Sequence, residues 1–267
     1  MIKINGTKLD YFKFSAGEVH FELKESLRDE ESQVEMFFES NDDIVCLMLL
    51  ADLFAAQEKE WRLFAPYLPY SRQDRATTPN SPSSFSTMMR AILSSSTCRQ
   101  ISTYDLHNPK VIPKLLPHNT EFTNIIDLPT CAIPPSKDSI KTYLIVPDEG
   151  AKERCEHIAE HYDYPIAFQG HKVRNPSTGA LSHYSLEPLI EKIPRLANFI
   201  VFDDICDGGG TFVLLAEAIK KTKPLMALWM LHLSTTHGIY SKGKEELNKH
   251  YKSITCRYNL KTMEINL

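Results

Sequence analysis

Residues 201–211 read Val-Phe-Asp-Asp-Ile-Cys-Asp-Gly-Gly-Gly-Thr and combine three acids with a glycine-rich turn. The apolar residues before the turn predict the end of a strand, and the apolar spacing after it predicts a helix. Glycines let a backbone approach a phosphate closely, and the N-terminus of a helix favours negative charge. The adjacent carboxylates of Asp203 and Asp204 can hold sugar hydroxyls or a metal that bridges to them. The segment therefore predicts a site with a phosphate end and a diol end, which suits a phosphorylated ribose.

A purely structural interpretation of this segment also exists, because glycine-rich turns are common in α/β proteins and carboxylates often serve only as helix N-caps. Three acids at one strand end repel each other, however, unless a cation or hydroxyl groups satisfy them. The ligand interpretation is therefore favoured. The residues assigned to ribose-phosphate binding are Asp203, Asp204, Asp207, Gly208, Gly209, Gly210 and Thr211.

A second segment, Tyr67 to Arg75, places two arginines just beyond a predicted strand. Arg72 and Arg75 flank Gln73 and Asp74. The planar guanidinium group of arginine binds phosphate and can also stack on a purine. The spacing predicts a nucleotide contact, and a solvated surface turn is the alternative.

Three further strand ends carry groups that suit phosphate chemistry. Mg²⁺ takes few protein ligands besides phosphate oxygens, and His107 (of Asp105-Leu-His107) and Asp148 could supply them. Histidine is an unusual Mg²⁺ ligand, and a structural histidine is the alternative for His107. Lys172 and Arg174 open a loop rich in Asn, Pro, Ser and Gly. Two cations on such a loop can close over the charge that develops in phosphoryl transfer, although ordinary surface charges have the same pattern.

The strands and helices that must position these residues alternate along the chain. This order predicts α/β layers with mainly parallel sheets, whose ligands bind at the carboxyl ends of strands. A proline-rich stretch at 128–136 predicts a connection between two domains, residues 1–127 and 128–267. The predicted strands are Val19–Leu23, Arg62–Leu68, Gln100–Tyr104, Tyr143–Val146, Ile166–Phe168, Asn198–Phe202 and Leu225–Leu231, and the predicted helices include Cys46–Gln57, Phe85–Leu93 and Ala151–Tyr162.

Bulk properties narrow the class of protein. The 267 residues can form one large or two modest cores, and a net charge of −4 without a basic block argues against nucleic-acid binding. No apolar run is long enough to span a membrane, and the N-terminus has no signal-peptide pattern. The six cysteines include no Cys-x-x-Cys pair, so neither a zinc site nor a disulfide framework is predicted. A cytoplasmic protein is expected.

Taken together and in order, these segments resemble the ribose-phosphate pyrophosphokinases, also called phosphoribosyl pyrophosphate synthetases. Six ordered matches over most of the chain make the resemblance specific. The matching segments are Phe14-Ser-Ala-Gly-Glu18, Tyr70-Ser-Arg-Gln-Asp-Arg75, Asp105-Leu-His107, Pro147-Asp148, Lys172-Val-Arg174 and residues 203–211.

The resemblance implies two tandem type I phosphoribosyltransferase-like domains with the site in the cleft between them. It implies transfer of the β,γ-diphosphoryl group of Mg-ATP to the anomeric hydroxyl of ribose 5-phosphate, which releases AMP. Lys172, Arg174 and His107 would be catalytic, and His107 and Asp148 would bind Mg²⁺. ATP would contact Arg72, Gln73, Asp74, His107, Phe14 and Glu18, the last two from a neighbouring subunit, so a homo-oligomer (dimer or hexamer) is expected.

The chain departs from the family pattern at several positions. Gly208 stands where the family has a threonine that binds the 5-phosphate, and one lost hydrogen bond to a charged phosphate is worth about 1.5–3 kcal/mol. Ala16 replaces an aspartate of the adenine-contacting segment, and Ala-Thr-Thr-Pro follows Arg75 in place of a basic run. A looser hold on a phosphate dianion could admit a phosphodiester.

The sequence is therefore compatible with four functions. The first is a ribose 5-phosphate pyrophosphokinase, and the second uses the same chemistry with ADP-ribose as acceptor, as relatives of this family do to rebuild NAD. The third is a non-catalytic partner of an active synthetase, which the intact set of Lys172, Arg174, His107 and Asp148 argues against. The fourth is a phosphoribosyltransferase, which would need residues 203–211 alone.

Overall fold

A computed structural model describes residues 1–23, 31–94, 96–132, 140–174, 181–194, 196–222 and 230–266. The chain divides into two compact units, Met1–Ile125 and Ile126–Leu267. No helix in these described ranges is both long and apolar enough to cross a membrane.

Unit 1 is built on a six-stranded sheet of order β2-β1-β5-β6-β7-β8, in which β5 to β8 are parallel and β1 is antiparallel to both of its neighbours. A separate hairpin pairs β3 with β4. The strands are β1 (Ile2–Ile4), β2 (Thr7–Lys8), β3 (Phe12–Lys13), β4 (Val19–His20), β5 (Ser32–Met36), β6 (Trp61–Phe64), β7 (Cys98–Tyr104) and β8 (Glu121–Ile125), and the helices are α1 (Asn41–Ala56) and α2 (Ser84–Leu93).

Local sequence signals explain the main elements of unit 1. Ser40 and Asp43 form a capping box that starts α1, because the side chain of each accepts a hydrogen bond from a backbone N–H at the other end of the turn. Leu47, Leu50 and Phe54 recur at helical spacing on α1 and are fully buried in the core of this unit. The α1 and α2 helices thus both contribute buried side chains to the core of this unit.

Unit 2 is built on a seven-stranded sheet of order β11-β10-β9-β12-β13-β14-β15, in which β10, β9, β12, β13 and β14 are parallel and the two edge strands are antiparallel. The strands are β9 (Thr142–Val146), β10 (Ile166–Arg174), β11 (Leu181–Pro188), β12 (Asn198–Cys206), β13 (Met230–Gly238), β14 (Ser253–Asn259) and β15 (Glu264–Ile265). The helices are α3 (Lys152–Tyr162), α4 (Gly210–Thr222) and the short α5 (Glu245–Asn248).

Both faces of this second sheet are buried. Alternate residues of β12 belong to different cores: Phe199 and Val201 pack in one cluster, and Ile200 and Phe202 pack in the other. Parallel strands covered on both faces read as continuous apolar runs, which is the pattern of residues 199–202. The predicted fold class, α/β with two mainly parallel sheets flanked by helices, is confirmed.

Several predicted element boundaries were wrong. The strand predicted over Ile166–Phe168 continues to Arg174, because β11 pairs with it as an antiparallel edge strand; Lys172 therefore lies on a strand rather than in a loop. The strand predicted over Asn198–Phe202 continues to Cys206, since β13 pairs with it beyond Asp203.

Two other predicted strands also differ from the structure, and several observed strands were missed. Only Val19–His20 of the strand predicted over Val19–Leu23 is extended. Most of the strand predicted over Leu225–Leu231 lies outside the described residues, and β13 begins at Met230. Strands β14 and β15 had not been predicted.

Candidate functional site

In unit 1, the predicted nucleotide-binding segment is joined to the loop after β7. The Asn108 side-chain amide donates to Asp74 Oδ2 at 2.5 Å, and the hydroxyl of Ser83 donates to the Asp74 carbonyl at 2.9 Å. Arg72, Gln73 and His107 are exposed. The contact to Asp74 therefore holds the loops after two adjacent parallel strands together, with Arg72, Gln73 and His107 accessible to a ligand.

Two residues at the same strand ends have left-handed backbone conformations that are uncommon outside glycine. Tyr70 has a φ of 62° and precedes the Arg72–Asp74 segment, and Asp105 has a φ of 32° directly after β7. Such conformations cost about 1–3 kcal/mol each and concentrate at binding and catalytic loops. Asp105 is 1% exposed, and its backbone N–H donates to the Ile125 carbonyl at 3.0 Å. This geometry turns the chain sharply just before His107.

The predicted adenine-contacting segment forms the tip of the β3–β4 hairpin. The Phe14 N–H donates to the Glu18 carbonyl at 2.9 Å, and Gly17, with a φ of 92°, completes the turn. Phe14 is 53% exposed and lies against Phe12 and His20, with ring centroids 5.2 and 5.8 Å away. The hairpin presents an aromatic surface to solvent, which suits stacking on a base.

In unit 2, Asp148 lies just beyond the carboxyl end of β9. Its Oδ1 accepts a hydrogen bond from the Ala151 N–H at 3.1 Å, and its Oδ2 forms an ion pair with Lys172 Nζ. An open pocket of about 450 Å³ is present here. Its lining comprises Asp148, Glu149, Gly150, Gly170, His171 and Lys172. The structure thus brings a predicted metal-binding acid and a predicted catalytic lysine to one cavity.

Close backbone packing shapes the wall of this pocket. The hydroxyl of Tyr184, on β11, donates to the Pro147 carbonyl. A Cβ atom built on Gly170 would lie under 3.0 Å from both the Pro147 carbonyl oxygen and the Tyr184 hydroxyl. Position 170 therefore accepts only glycine without a shift of the backbone.

We expect Gly170→Ala to lower the free energy of unfolding by about 1–3 kcal/mol, because the added methyl group has no space against Pro147. Chemical denaturation monitored by circular dichroism measures this. Gly210→Ala is the matched control, since no atom in the described ranges lies within 4 Å of a Cβ placed at that position. Equal free energies of unfolding for the two variants would show that the backbone around Pro147 can shift to accommodate a methyl group at position 170 without cost.

The adjacent acids Asp203 and Asp204 are held by a buried arginine that sequence analysis did not identify. Arg154, on α3, is 7% exposed, and its Nη1 lies 3.1 Å from Asp203 Oδ1 and 3.6 Å from Asp204 Oδ1. The same nitrogen donates to the Gly150 carbonyl at 3.3 Å. Arg154 thus links the loop after β9 to the end of β12.

Electrostatics make Asp203 an unusual carboxylic acid. Burial raises its pKa well above the ordinary value, the neighbouring Asp204 and Asp148 carboxylates raise it further, and the Arg154 guanidinium opposes them. One Asp203 oxygen also accepts the backbone N–H of Asp204 at 2.9 Å. A pair of acids in this state gains from polar ligands such as hydroxyl groups, which can hydrogen-bond to either protonation state.

The predicted phosphate loop runs from Asp207 to the start of α4. Gly209 has a φ of 76° and is buried, and a Cβ there would lie 3.2 Å from Leu247. The Phe212 and Val213 N–H groups donate to the Gly209 carbonyl at 3.0 and 3.1 Å, which starts the helix. Gly208 and Gly210 are exposed. The first N–H groups of a helix lack intrahelical partners, so this exposed turn can receive an anion.

The structure therefore brings together, within each unit, residues that were predicted to form the site. Asp148, Lys172, Asp203, Asp204 and the loop to Thr211 share the carboxyl ends of β9, β10 and β12, which are adjacent in the sheet. Arg72, Gln73, Asp74 and His107 share the corresponding edge of unit 1. The side chain of Arg174 lies outside the described part of the chain.

Two further residues were missed by sequence analysis, and only one had a usable signal. Asn108 directly follows Asp105-Leu-His107 and could have been included as a polar residue at the same strand end. Arg154 lies within a helical stretch of charged residues, where nothing in the spacing separates it from a surface arginine.

The predicted metal site fits Mg²⁺ only in part. In the described ranges there is no group of three or more His, Cys, Asp or Glu side chains placed to hold a metal ion. Mg²⁺ is commonly bound by one or two carboxylates together with substrate phosphates, so Asp148 alone suits an ion that arrives with a nucleotide. A ligand role for His107 stays a prediction.

Comparisons with known proteins identify one family to which this chain is similar. Residues 1–95 match the family model for the N-terminal domain of ribose phosphate pyrophosphokinase. The ribose-phosphate pyrophosphokinase of Thermococcus kodakarensis is 27% identical over 213 residues, which cover 79% of this chain and 70% of that protein. The enzyme of the same name from Pyrococcus furiosus is 26% identical over 248 residues, which cover 91% of this chain and 82% of that protein.

A solved structure shows the same fold over nearly the whole chain. Phosphoribosylpyrophosphate synthetase from Mycobacterium smegmatis superposes with a TM-score of 0.71 at 17% identity, covering 94% of this chain and 78% of that one. The predicted resemblance is confirmed: this chain is similar in sequence to the ribose-phosphate pyrophosphokinases, an enzyme family, and shares the fold of a phosphoribosylpyrophosphate synthetase.

Proposed function

We propose that this protein transfers the β,γ-diphosphoryl group of Mg-ATP to the anomeric hydroxyl of a 5-phosphorylated ribose and releases AMP. The main support is the arrangement of Asp148, Lys172, the Asp203–Asp204 pair and the 207–211 loop at adjacent strand ends of unit 2. A phosphate-binding turn, a diol-binding acid pair and a cation for the transferred group are the parts that this reaction needs. The similarity to ribose-phosphate pyrophosphokinases supports the same activity.

In the proposed mechanism, unit 2 binds the acceptor. The backbone N–H groups of residues 208–211 hold the 5-phosphate, and Asp203 and Asp204 accept hydrogen bonds from the sugar hydroxyls. These contacts orient the anomeric hydroxyl, and orientation of the reacting groups is a large part of catalysis when the protein forms no covalent bond to substrate. Arg154 keeps the two acids in place through its contacts at 3.1 and 3.6 Å.

The donor nucleotide is proposed to contact unit 1 through Arg72, Gln73, Asp74 and His107. Adenine would stack on the exposed Phe14 hairpin of a second subunit, so the active form would be an oligomer. Mg²⁺ bound to the phosphates of ATP would neutralise their charge, with Asp148 as its protein ligand. Lys172, which pairs with Asp148 in this structure, would stabilise negative charge on the transferred group.

The test of this proposal is a direct assay of AMP release. Purified protein is incubated with Mg-ATP and ribose 5-phosphate, and AMP and the phosphoribosyl product are followed by chromatography. We expect both to form in equal amounts and to require the acceptor. Formation of neither product with any acceptor would refute the proposal and would favour the non-catalytic hypothesis. Activity with phosphoribosyl pyrophosphate and a free base, without ATP, would favour a phosphoribosyltransferase.

A second acceptor, ADP-ribose, is supported by a specific observation at Gly208. This residue is exposed, and the three nearest heavy atoms to a Cβ built there all belong to the Lys242 side chain, at 3.5–3.8 Å. A turn without a side chain leaves space for an ester that extends beyond the first phosphate. ADP-ribose also has a free anomeric hydroxyl, so the same assay with this acceptor measures which substrate the enzyme prefers.

A further inference from the structure

A loop that follows β13 lies beside the phosphate loop, and no role has been assigned to it. The backbone N–H groups of Ile239 and Tyr240 donate to the Cys206 carbonyl at 2.9 and 3.1 Å, and the Ser241 N–H donates to the Asp207 carbonyl at 3.2 Å. Three successive hydrogen bonds therefore attach this loop to the end of β12. Leu247, which follows it in α5, packs under Gly209.

Lys242, which belongs to this loop, has its side chain beside Gly208, an exposed glycine of the phosphate loop. The Cγ, Cδ and Cε atoms of Lys242 lie 3.8, 3.5 and 3.6 Å from the Cβ position of Gly208. Lys242 is exposed, and none of the carboxylates in the described ranges forms an ion pair with it. Its neighbour Lys244 is differently placed, with its ammonium group 4.1 Å from the centre of the Tyr240 ring. Lys242 is therefore the cation of this loop that is available to a ligand.

We infer that Lys242 recognises a second phosphate, so that the acceptor is a ribose whose 5-oxygen carries a diphosphate ester. This inference rests on the proposed function, because it takes residues 207–211 as the site of the first phosphate. The buried side of that loop is closed by Leu247 under Gly209, and its exposed side, at Gly208, faces the Lys242 side chain. A second phosphate attached to the first would extend towards the exposed side of the loop, where the positive charge of Lys242 complements its negative charge.

In this interpretation, Gly208 and Lys242 together form the binding site for the second phosphate. A Cβ at position 208 would already be in van der Waals contact with the lysine at 3.5 Å, so a threonine, with two further heavy atoms, would occupy the space beside Lys242. Glycine at 208 keeps the passage open, and Lys242 provides the contact. A ribose that ends in a monophosphate needs no contact with Lys242, because its phosphate is held by the backbone N–H groups of residues 208–211.

The inference is tested by measuring the binding of two acceptors to the intact protein by calorimetry and, in parallel, their KM values in the AMP-release assay. In Lys242→Ala we expect ADP-ribose affinity to fall by about tenfold or more, because a hydrogen bond to a charged group is lost. Ribose 5-phosphate affinity should change by less than about threefold, as expected for an exposed charge that does not touch it. Lys249→Ala is the control, since that lysine is exposed and pairs with Glu246 on α5.

Gly208→Thr provides a second, independent variant. We expect it to weaken ADP-ribose binding more than ribose 5-phosphate binding, because the threonine side chain would occupy the space beside Lys242. Equal losses for both acceptors, no loss for either, or no measurable binding of ADP-ribose to the unmodified protein would overturn the inference. Lys242-dependent binding of ADP-ribose without AMP release would instead retain the second-phosphate site and refute the proposed transfer. If ADP-ribose supports AMP release equally well in the unmodified protein and in Lys242→Ala, the proposed transfer reaction is supported and the second-phosphate site at Lys242 is refuted.

Discussion

Replacement of Lys172 by alanine is expected to reduce turnover by about 10²–10³-fold, with ATP and acceptor KM values within about threefold of the unmodified protein. Lys172 Nζ is paired with Asp148 at the mouth of the pocket, and the side chain is 25% exposed. A cation at this position contributes most when negative charge develops on the transferred group, so its loss affects kcat more than ground-state binding.

The measurement is steady-state kinetics of AMP release over a range of ATP and acceptor concentrations. Lys172→Arg preserves the charge with a different shape and should recover part of the lost turnover. Lys249→Ala, which removes an exposed lysine that does not line the pocket, should leave all parameters unchanged. A Lys172→Ala variant with normal turnover and weakened ATP binding would show that the lysine serves only to bind the nucleotide.

Removal of the Arg154 charge is expected to have the second large effect, on acceptor binding and on its pH dependence. In Arg154→Gln, Asp203 and Asp204 lose their common cation, and breaking a buried ion pair costs about 3–5 kcal/mol. Arg154 lowers the pKa of Asp203, which burial and Asp204 raise, so the variant's Asp203 should have a still higher pKa. The carboxylate form would then be lost at a higher pH as the solution is acidified.

The expected result is a rise in acceptor KM of about tenfold or more and a shift of the acid limb of kcat/KM to higher pH, with ATP KM little changed. Arg154→Lys keeps the charge and should restore the acid limb towards its original position. Thermal unfolding of each variant separates loss of fold from loss of function. A folded Arg154→Gln protein whose pH profile matches the unmodified protein would contradict the positioning role.

Short contiguous segments could be interpreted from the sequence because their chemistry is local. Residues 203–211 contain their own acids, their glycines and the first residues of the helix that follows, so strand, turn and anion site were all predicted from one stretch. The same holds for the apolar strand over residues 199–202. The start of α1 was placed too late, at Cys46, because the Ser40 cap and the first turn of the helix were not identified.

Contacts between distant segments could not be predicted. Asp74 meets Asn108 across 34 residues, and Arg154 meets Asp203 across 49 residues. The length of β10 was underestimated for the same reason, since its last residues are polar and become extended only because β11 pairs with them. Lys242 was not identified from the sequence either, because hydrogen bonds between distant segments place its loop beside residues 206 and 207.

The amino-acid sequence by itself determined the α/β class and the chemical types present at the ends of several strands, because hydrophobic periodicity and turn residues act over a few neighbours. Only the tertiary structure decided which strand ends are adjacent. It also showed that the charge of Arg154 lies beside the carboxylates of Asp203 and Asp204, and that the Lys242 side chain lies beside Gly208. Adjacency in a parallel sheet depends on strand order, and strand order is set by packing of the whole core rather than by any local run of residues.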